Sequence, residues 1–152
     1  DGPPPRPGGH AQKSRRPGGP LVASDGGAPT LNPALVPPIR HARRIGYTRV
    51  NVTTNGRLLA YEDVAERLVK SGLTTLLFSV HGPDVASHAR EVGVAEAFDQ
   101  TVAGIRHAMS HRPDDVEVGM NITLTKTNFR KQDALAALAY ELGIRWMNIQ
   151  FL

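Results

Sequence analysis

From about residue 48 onward, short apolar strands alternate with helical stretches that close on glycine, and this alternation constrains the fold more than any other feature. Residues 48–54 (TRVNVTT) are β-branched and alternating, and Asn55-Gly56 stops them. Residues 61–71 put Val64, Ala65 and Leu68 on one helical face and close at Gly72. Residues 74–80 (TTLLFSV) form a nearly continuous apolar strand before His81-Gly82-Pro83. Residues 84–92 read as a short helix or an irregular turn. Residues 96–110 carry Phe98, Val102, Ile105 and Met109 at helical spacing. Residues 116–124 are a strand, 128–142 a helix ended by Gly143, and 144–151 a last strand. Ahead of these, 33–45 spaces Leu35, Ile39 and Ala42 as a helix that starts near Pro37 or Pro38 and closes at Gly46. A further strand is expected near 21–24.

This order implies βαβ units, a parallel sheet and right-handed crossovers. The α/β choices are a doubly wound sheet and a (β/α) barrel. Alternate side chains of a strand share a face. Val50 and Val52 oppose Asn51, Thr53 and Asn55. Leu76, Phe78 and Val80 oppose Leu77, Ser79 and His81. Met120, Ile122 and Leu124 oppose Glu117, Gly119, Asn121 and Thr123, and Met147, Ile149 and Phe151 oppose Asn148 and Gln150. A doubly wound sheet is covered by helices on both faces and should be apolar on both. One polar face fits a partial (β/α) barrel whose lumen holds a polar ligand. It also fits an αβ layer whose other face meets water or another domain.

The first 27 residues differ from the rest. Seven of the chain's 15 glycines and six of its 12 prolines lie there. Such a segment cannot bury enough apolar surface to offset its ordering entropy, so 1–20 is expected to be a disordered tail and 21–152 the folded domain. The tail is basic through Arg6, Lys13, Arg15 and Arg16, but it has no aromatic residue to stack on bases. Specific nucleic-acid binding is therefore not expected. The 18 Lys and Arg against 14 Asp and Glu give a net +4. No stretch reaches the apolar length of a membrane span and no secretory h-region opens the chain, so a cytoplasmic domain without membrane contact is expected. The absence of cysteine removes disulfides, thiolate metal sites and cysteine nucleophiles.

Parallel α/β folds present ligand-binding groups at the carboxyl ends of strands. There the sequence offers Gly26-Gly27-Ala28-Pro29, Thr53-Thr54-Asn55-Gly56, Ser79-Val80-His81-Gly82 and Asn121-Ile122-Thr123. These are neutral hydrogen-bonding groups with no paired carboxylate, suited to a zwitterionic or sugar-bearing ligand. Asn55-Gly56 and Gly82-Pro83 are equally ordinary turn dipeptides. Among the histidines, His81 alone is a site candidate. His107 and His111 have metal-pair spacing on one helix but no third ligand, and are expected to be exposed surface residues. No GxSxG, P-loop or GxGxxG occurs.

Taken in order, the strand-end segments resemble the radical S-adenosylmethionine superfamily. Residues 26–33 (GGAPTLNP) resemble its GGEPTL-P segment, and 50–56 (VNVTTNG) its third-strand TNG segment. Residues 78–82 (FSVHG) and 121–128 (NITLTKTN) resemble its fourth- and fifth-strand segments. The resemblance spans about 21–152 and implies strands two to six of a (β/α)6 core. It also implies a 4Fe–4S cluster that reductively cleaves S-adenosylmethionine, an electron donor, and a small-molecule or peptide substrate. By position, the backbone of Gly26 and Gly27 would meet the methionine amino group. Thr54, Asn55, Ser79 and Asn121 would meet its carboxylate or the ribose. The sequence departs from the family in two places. The CxxxCxxC loop is missing, its place taken by the Gly/Pro/Arg tail, and Ala28 stands where the family has glutamate. No catalytic residue and no metal ligand is assigned.

Overall fold

A computed structural model describes residues 11–12, 20–24 and 35–151, the first two segments as backbone. Its strands form a six-stranded sheet in chain order. They are β1 (Ala11–Gln12), β2 (Pro20–Ser24), β3 (Arg49–Thr54), β4 (Thr75–Ser79), β5 (Glu117–Leu124) and β6 (Met147–Phe151). β1 pairs antiparallel with β2, and every pairing from β2 to β6 is parallel. The helices are α1 (Val36–Arg44), α2 (Glu62–Val69), α3 (Val85–Val92), α4 (Ala97–His111) and α5 (Gln132–Glu141). Because sheet order never reverses, crossovers of one hand put all the helices on one face. This is the winding of a barrel wall; a doubly wound sheet needs a reversal.

Burial follows the side-chain alternation. Val50, Val52, Leu76, Phe78, Val80, Met120 and Ile122 are buried, packed with Ile39, Ala65, Leu68, Ile105 and Leu135 of the helix layer. The opposite set, Asn51, Thr53, Asn55, Ser79, His81, Asn121 and Thr123, is half-buried. One part of that polar face is apolar. A Cβ on Gly119 would lie 2.6 Å from the Trp146 ring and 3.0 Å from Leu77, so Trp146 lies against the strand there. The polar groups thus gather toward the carboxyl end.

Several boundaries differ from the sequence expectation for local reasons. α1 takes Pro37 and Pro38 in its first turn, where their missing N–H groups cost no helical bond. Residues 84–92 are a capped helix: Asp84 Oδ1 accepts from Ser87 N at 2.8 Å, and Gly93 ends α3 at φ 75°. The expected helix over 128–142 begins later. Phe129–Lys131 is a 3-10 turn and α5 starts at Gln132, because Asn128 folds its amide back onto the turn after β4 and onto β5. Of the expected tail, 1–10 and 13–19 lie outside the described residues.

Candidate functional site

The site begins where β3 ends. Thr54 falls on the buried set with Val50 and Val52, and its Oγ1 accepts from Gly56 N at 3.0 Å. Its side chain therefore holds the turn and does not face the lumen, so only its backbone is placed to serve a ligand there. Asn55 falls on the polar set. Its Oδ1 accepts from Arg57 N at 3.1 Å, and its carbonyl accepts from Thr101 Oγ1 at 2.8 Å. Gly56 takes φ 73°, in the left-handed region that favours glycine, and opens the 3-10 turn Arg57–Ala60. Helix α4 presses on this turn from outside: a Cβ on Gly104 would lie 2.4 Å from Gly56 O.

At the end of β4, Ser79 is in register with Asn121 of β5. The Ser79 hydroxyl makes no hydrogen bond with another described residue. Two residues on, the backbone N–H of His81 donates to His88 Nδ1 at 3.1 Å, and Thr123 N–H donates to His81 Nδ1 at 3.3 Å. The two rings stack at 6.2 Å, 7° from parallel. Burial pushes the His88 pKa down to about 4, with His81 beside it adding to the shift. Burial also lowers the His81 pKa, opposed by Glu91. Both rings are therefore neutral near pH 7. Since each Nδ1 accepts from a backbone N–H, the hydrogen-bond pattern puts each ring proton on Nε2. Gly82 makes this stack possible, because a Cβ there would lie 2.4 Å from His88 N.

Asn55, Arg57, Ser79, His81, His88 and Thr101 line a cavity of about 350 Å³, closed on one side by apolar residues between α3 and α4. The sequence-predicted Asn55 and Ser79 thus meet in one place, with His81. Asn121 is on the same face beside Ser79, yet lies outside that lining; its Oδ1 accepts from Asn148 Nδ2 at 2.7 Å on β6. Gly26 and Gly27 lie outside the described residues. Arg57 and His88 were not singled out from sequence. Arg57 directly follows the Asn-Gly turn, the one local signal that could have found it. His88 lies seven residues past His81, a spacing with no meaning until the chain turns at Gly82. The expectation for His107 and His111 is corrected. Both are half-buried, because α4 packs on α2 and the 3-10 turn: His107 Nδ1 meets Leu59 O at 3.0 Å and His111 Nε2 meets Glu62 Oε1 at 2.7 Å.

The radical SAM superfamily sequence profile matches residues 10–139. The chain belongs to the radical SAM superfamily. Among its curated relatives is a "Probable GTP 3′,8-cyclase" of Saccharolobus solfataricus, 31% identical over 128 residues, covering 84% of this chain and 40% of the relative. One of the same description from Sulfurisphaera tokodaii is 34% identical over 125 residues, covering 81% and 38%. The chain thus spans about two fifths of the length of these relatives. Among solved structures, archaeal TYW1 superposes with TM-score 0.66 at 20% identity, covering 84% of this chain and 41% of that one. Streptococcus suis SuiB bound to precursor peptide SuiA gives TM-score 0.67 at 19% identity, covering 86% and 28%. These two likenesses establish the radical SAM barrel-type fold.

The family implies S-adenosylmethionine and a 4Fe–4S cluster, and the residues fit the two differently. Asn55, Ser79 and two neutral imidazoles around a cavity of this size suit a polar organic ligand. The cluster does not fit. The sequence has no cysteine, and among the described residues no three His, Asp or Glu come together as metal ligands.

Proposed function

We propose that this chain is the S-adenosylmethionine-binding core of a radical SAM protein, with the strand-end cavity holding part of that molecule. The meeting of Asn55 and Ser79 in one cavity at the carboxyl rim of adjacent parallel strands carries this reading. The Asn55 amide and Ser79 hydroxyl supply hydrogen bonds to the ribose or carboxylate. The Thr54 backbone and Asn121 flank them, and the family resemblance assigns the methionine amino group to the backbone of Gly26 and Gly27. Within a complete enzyme, the reaction class is reductive cleavage of S-adenosylmethionine followed by radical chemistry on a small-molecule or peptide substrate, fed by an electron donor. No step of that reaction is assigned to these residues, because they hold no thiolate for the cluster. That same absence, with Ala28 at the glutamate position, favours a second reading: a core that binds S-adenosylmethionine without cleaving it.

Titration calorimetry tests the binding reading, with GTP as a contrasting nucleotide. Wild-type protein should bind S-adenosylmethionine weakly. Asn55→Ala or Ser79→Ala should each weaken it by about 2- to 13-fold, the loss of one hydrogen bond. Ala28→Glu should tighten it by about 10- to 150-fold, the gain of a charged one. Absence of binding in both wild type and Ala28→Glu would refute the reading.

A further inference from the structure

Among the described residues lining the cavity, Arg57 is the sole one formally charged at pH 7, where both lining histidines are neutral. No described Asp or Glu lines it. Among the described residues, Arg57 forms no ion pair. It is nevertheless held in place. Its backbone N–H donates to Asn55 Oδ1 at 3.1 Å, which fixes the start of the 3-10 turn, and its Nε donates to Gln100 Oε1 of α4 at 2.7 Å. A guanidinium fixed through Nε keeps its Nη donors for something else. The neighbouring groups have the same polarity of function. The Asn55 amide nitrogen and the Ser79 hydroxyl can donate, and the two imidazoles carry their protons on Nε2. Thr101 and Gln100 turn their oxygens to partners within the protein, since Thr101 donates to Asn55 O and Gln100 accepts from Arg57. Among the described residues, the cavity is thus rich in donors and has one cation without an ion-pair partner. That is the chemistry of a receptor for a planar or tetrahedral anion, which a guanidinium recognises with paired N–H bonds.

We propose that Arg57, oriented by Gln100, is the anion-binding residue of this cavity and receives an anionic oxygen group of a small-molecule ligand. That group is the carboxylate at the amino-acid end of S-adenosylmethionine or the phosphate of a nucleotide. The carboxylate source rests on the S-adenosylmethionine reading above; the phosphate source does not.

Calorimetry on the 152-residue chain separates the sources. The probes are S-adenosylmethionine, its decarboxylated analogue, inorganic phosphate and GTP, each against wild type, Arg57→Gln and Arg57→Lys. If Arg57 takes the carboxylate, Arg57→Gln weakens S-adenosylmethionine by about 10- to 150-fold and leaves the decarboxylated analogue unchanged, with Arg57→Lys between. If it takes phosphate, Arg57→Gln weakens phosphate and GTP by a similar factor and leaves S-adenosylmethionine unchanged; the inference stands there even when wild type binds no S-adenosylmethionine. If wild type binds S-adenosylmethionine and Arg57→Gln binds every probe equally well, the inference fails and the S-adenosylmethionine reading survives. An equal loss for the decarboxylated analogue makes Arg57 a purely structural brace and overturns the inference, as does wild type that binds none of the four probes.

Discussion

Asn128 is 1% exposed and joins three segments. Its Nδ2 donates to His81 O at 3.1 Å and to Thr123 O at 2.9 Å, and its Oδ1 accepts from Thr125 N at 2.8 Å. Replacing it with alanine strands these backbone groups without partners, and leaving buried polar groups unsatisfied is expensive. Asn128→Ala should cost about 2–4 kcal/mol of stability, read from the urea midpoint. His88 makes a pH-dependent contribution whose sign follows from its depressed pKa. Below about pH 6.5 the unfolded chain takes a proton on this ring, while the folded protein refuses it down to about pH 4. Stability should therefore fall as pH drops through that window, by up to about 3 kcal/mol. His88→Asn, whose amide oxygen can still accept from His81 N–H, should flatten urea midpoints measured between those pH values. A wild-type midpoint that does not move across the window would contradict the neutral, buried assignment.

Among the elements, α4 governs the site's geometry. It supplies Thr101 to Asn55 O, Gln100 to Arg57 and the Gly104 contact under Gly56. Gly104→Ala would put a methyl 2.4 Å from a backbone oxygen, so helix and turn must separate. We expect a loss of about 1–3 kcal/mol in thermal melts together with weaker ligand binding. Gly93 is the control at the end of α3. A Cβ there meets nothing within 4 Å, and only its φ of 75° opposes a side chain. Gly93→Ala should cost about 1–2 kcal/mol in the same melts, from backbone strain alone. The existence of α4 was legible in the spacing of Phe98, Val102, Ile105 and Met109. Its contact with the Asn-Gly turn was not, because residues 55 and 101 are far apart in the chain and no local pattern links them.

Across the whole molecule, the helix-covered face is complete from β3 to β5 and fades at β6. Ile149 is 39% exposed and Phe151 82%, though both belong to the apolar set of their strand. No helix of the described residues is long and apolar enough to cross a membrane. With no thiolate in the sequence, anaerobic reconstitution with iron and sulfide should leave no stable iron–sulfur charge-transfer absorbance. A stable, stoichiometric 4Fe–4S spectrum from this chain would mean ligands other than cysteine hold the cluster.

The sequence by itself determined the parallel α/β architecture, the single polar face and the ranks of Asn55, Ser79 and His81, because a side-chain period of two and glycine stops are local properties of the chain. It also determined that no thiolate is available here for a cluster, since composition alone decides that. Tertiary structure decided what those residues do. Asn121 was drawn to Asn148 by the pairing of β5 with β6. His88 and Arg57 entered the cavity through a turn at Gly82 and a brace from α4. Each of these depends on contacts between segments distant in sequence, and burial and hydrogen-bond partnership exist only once those segments meet.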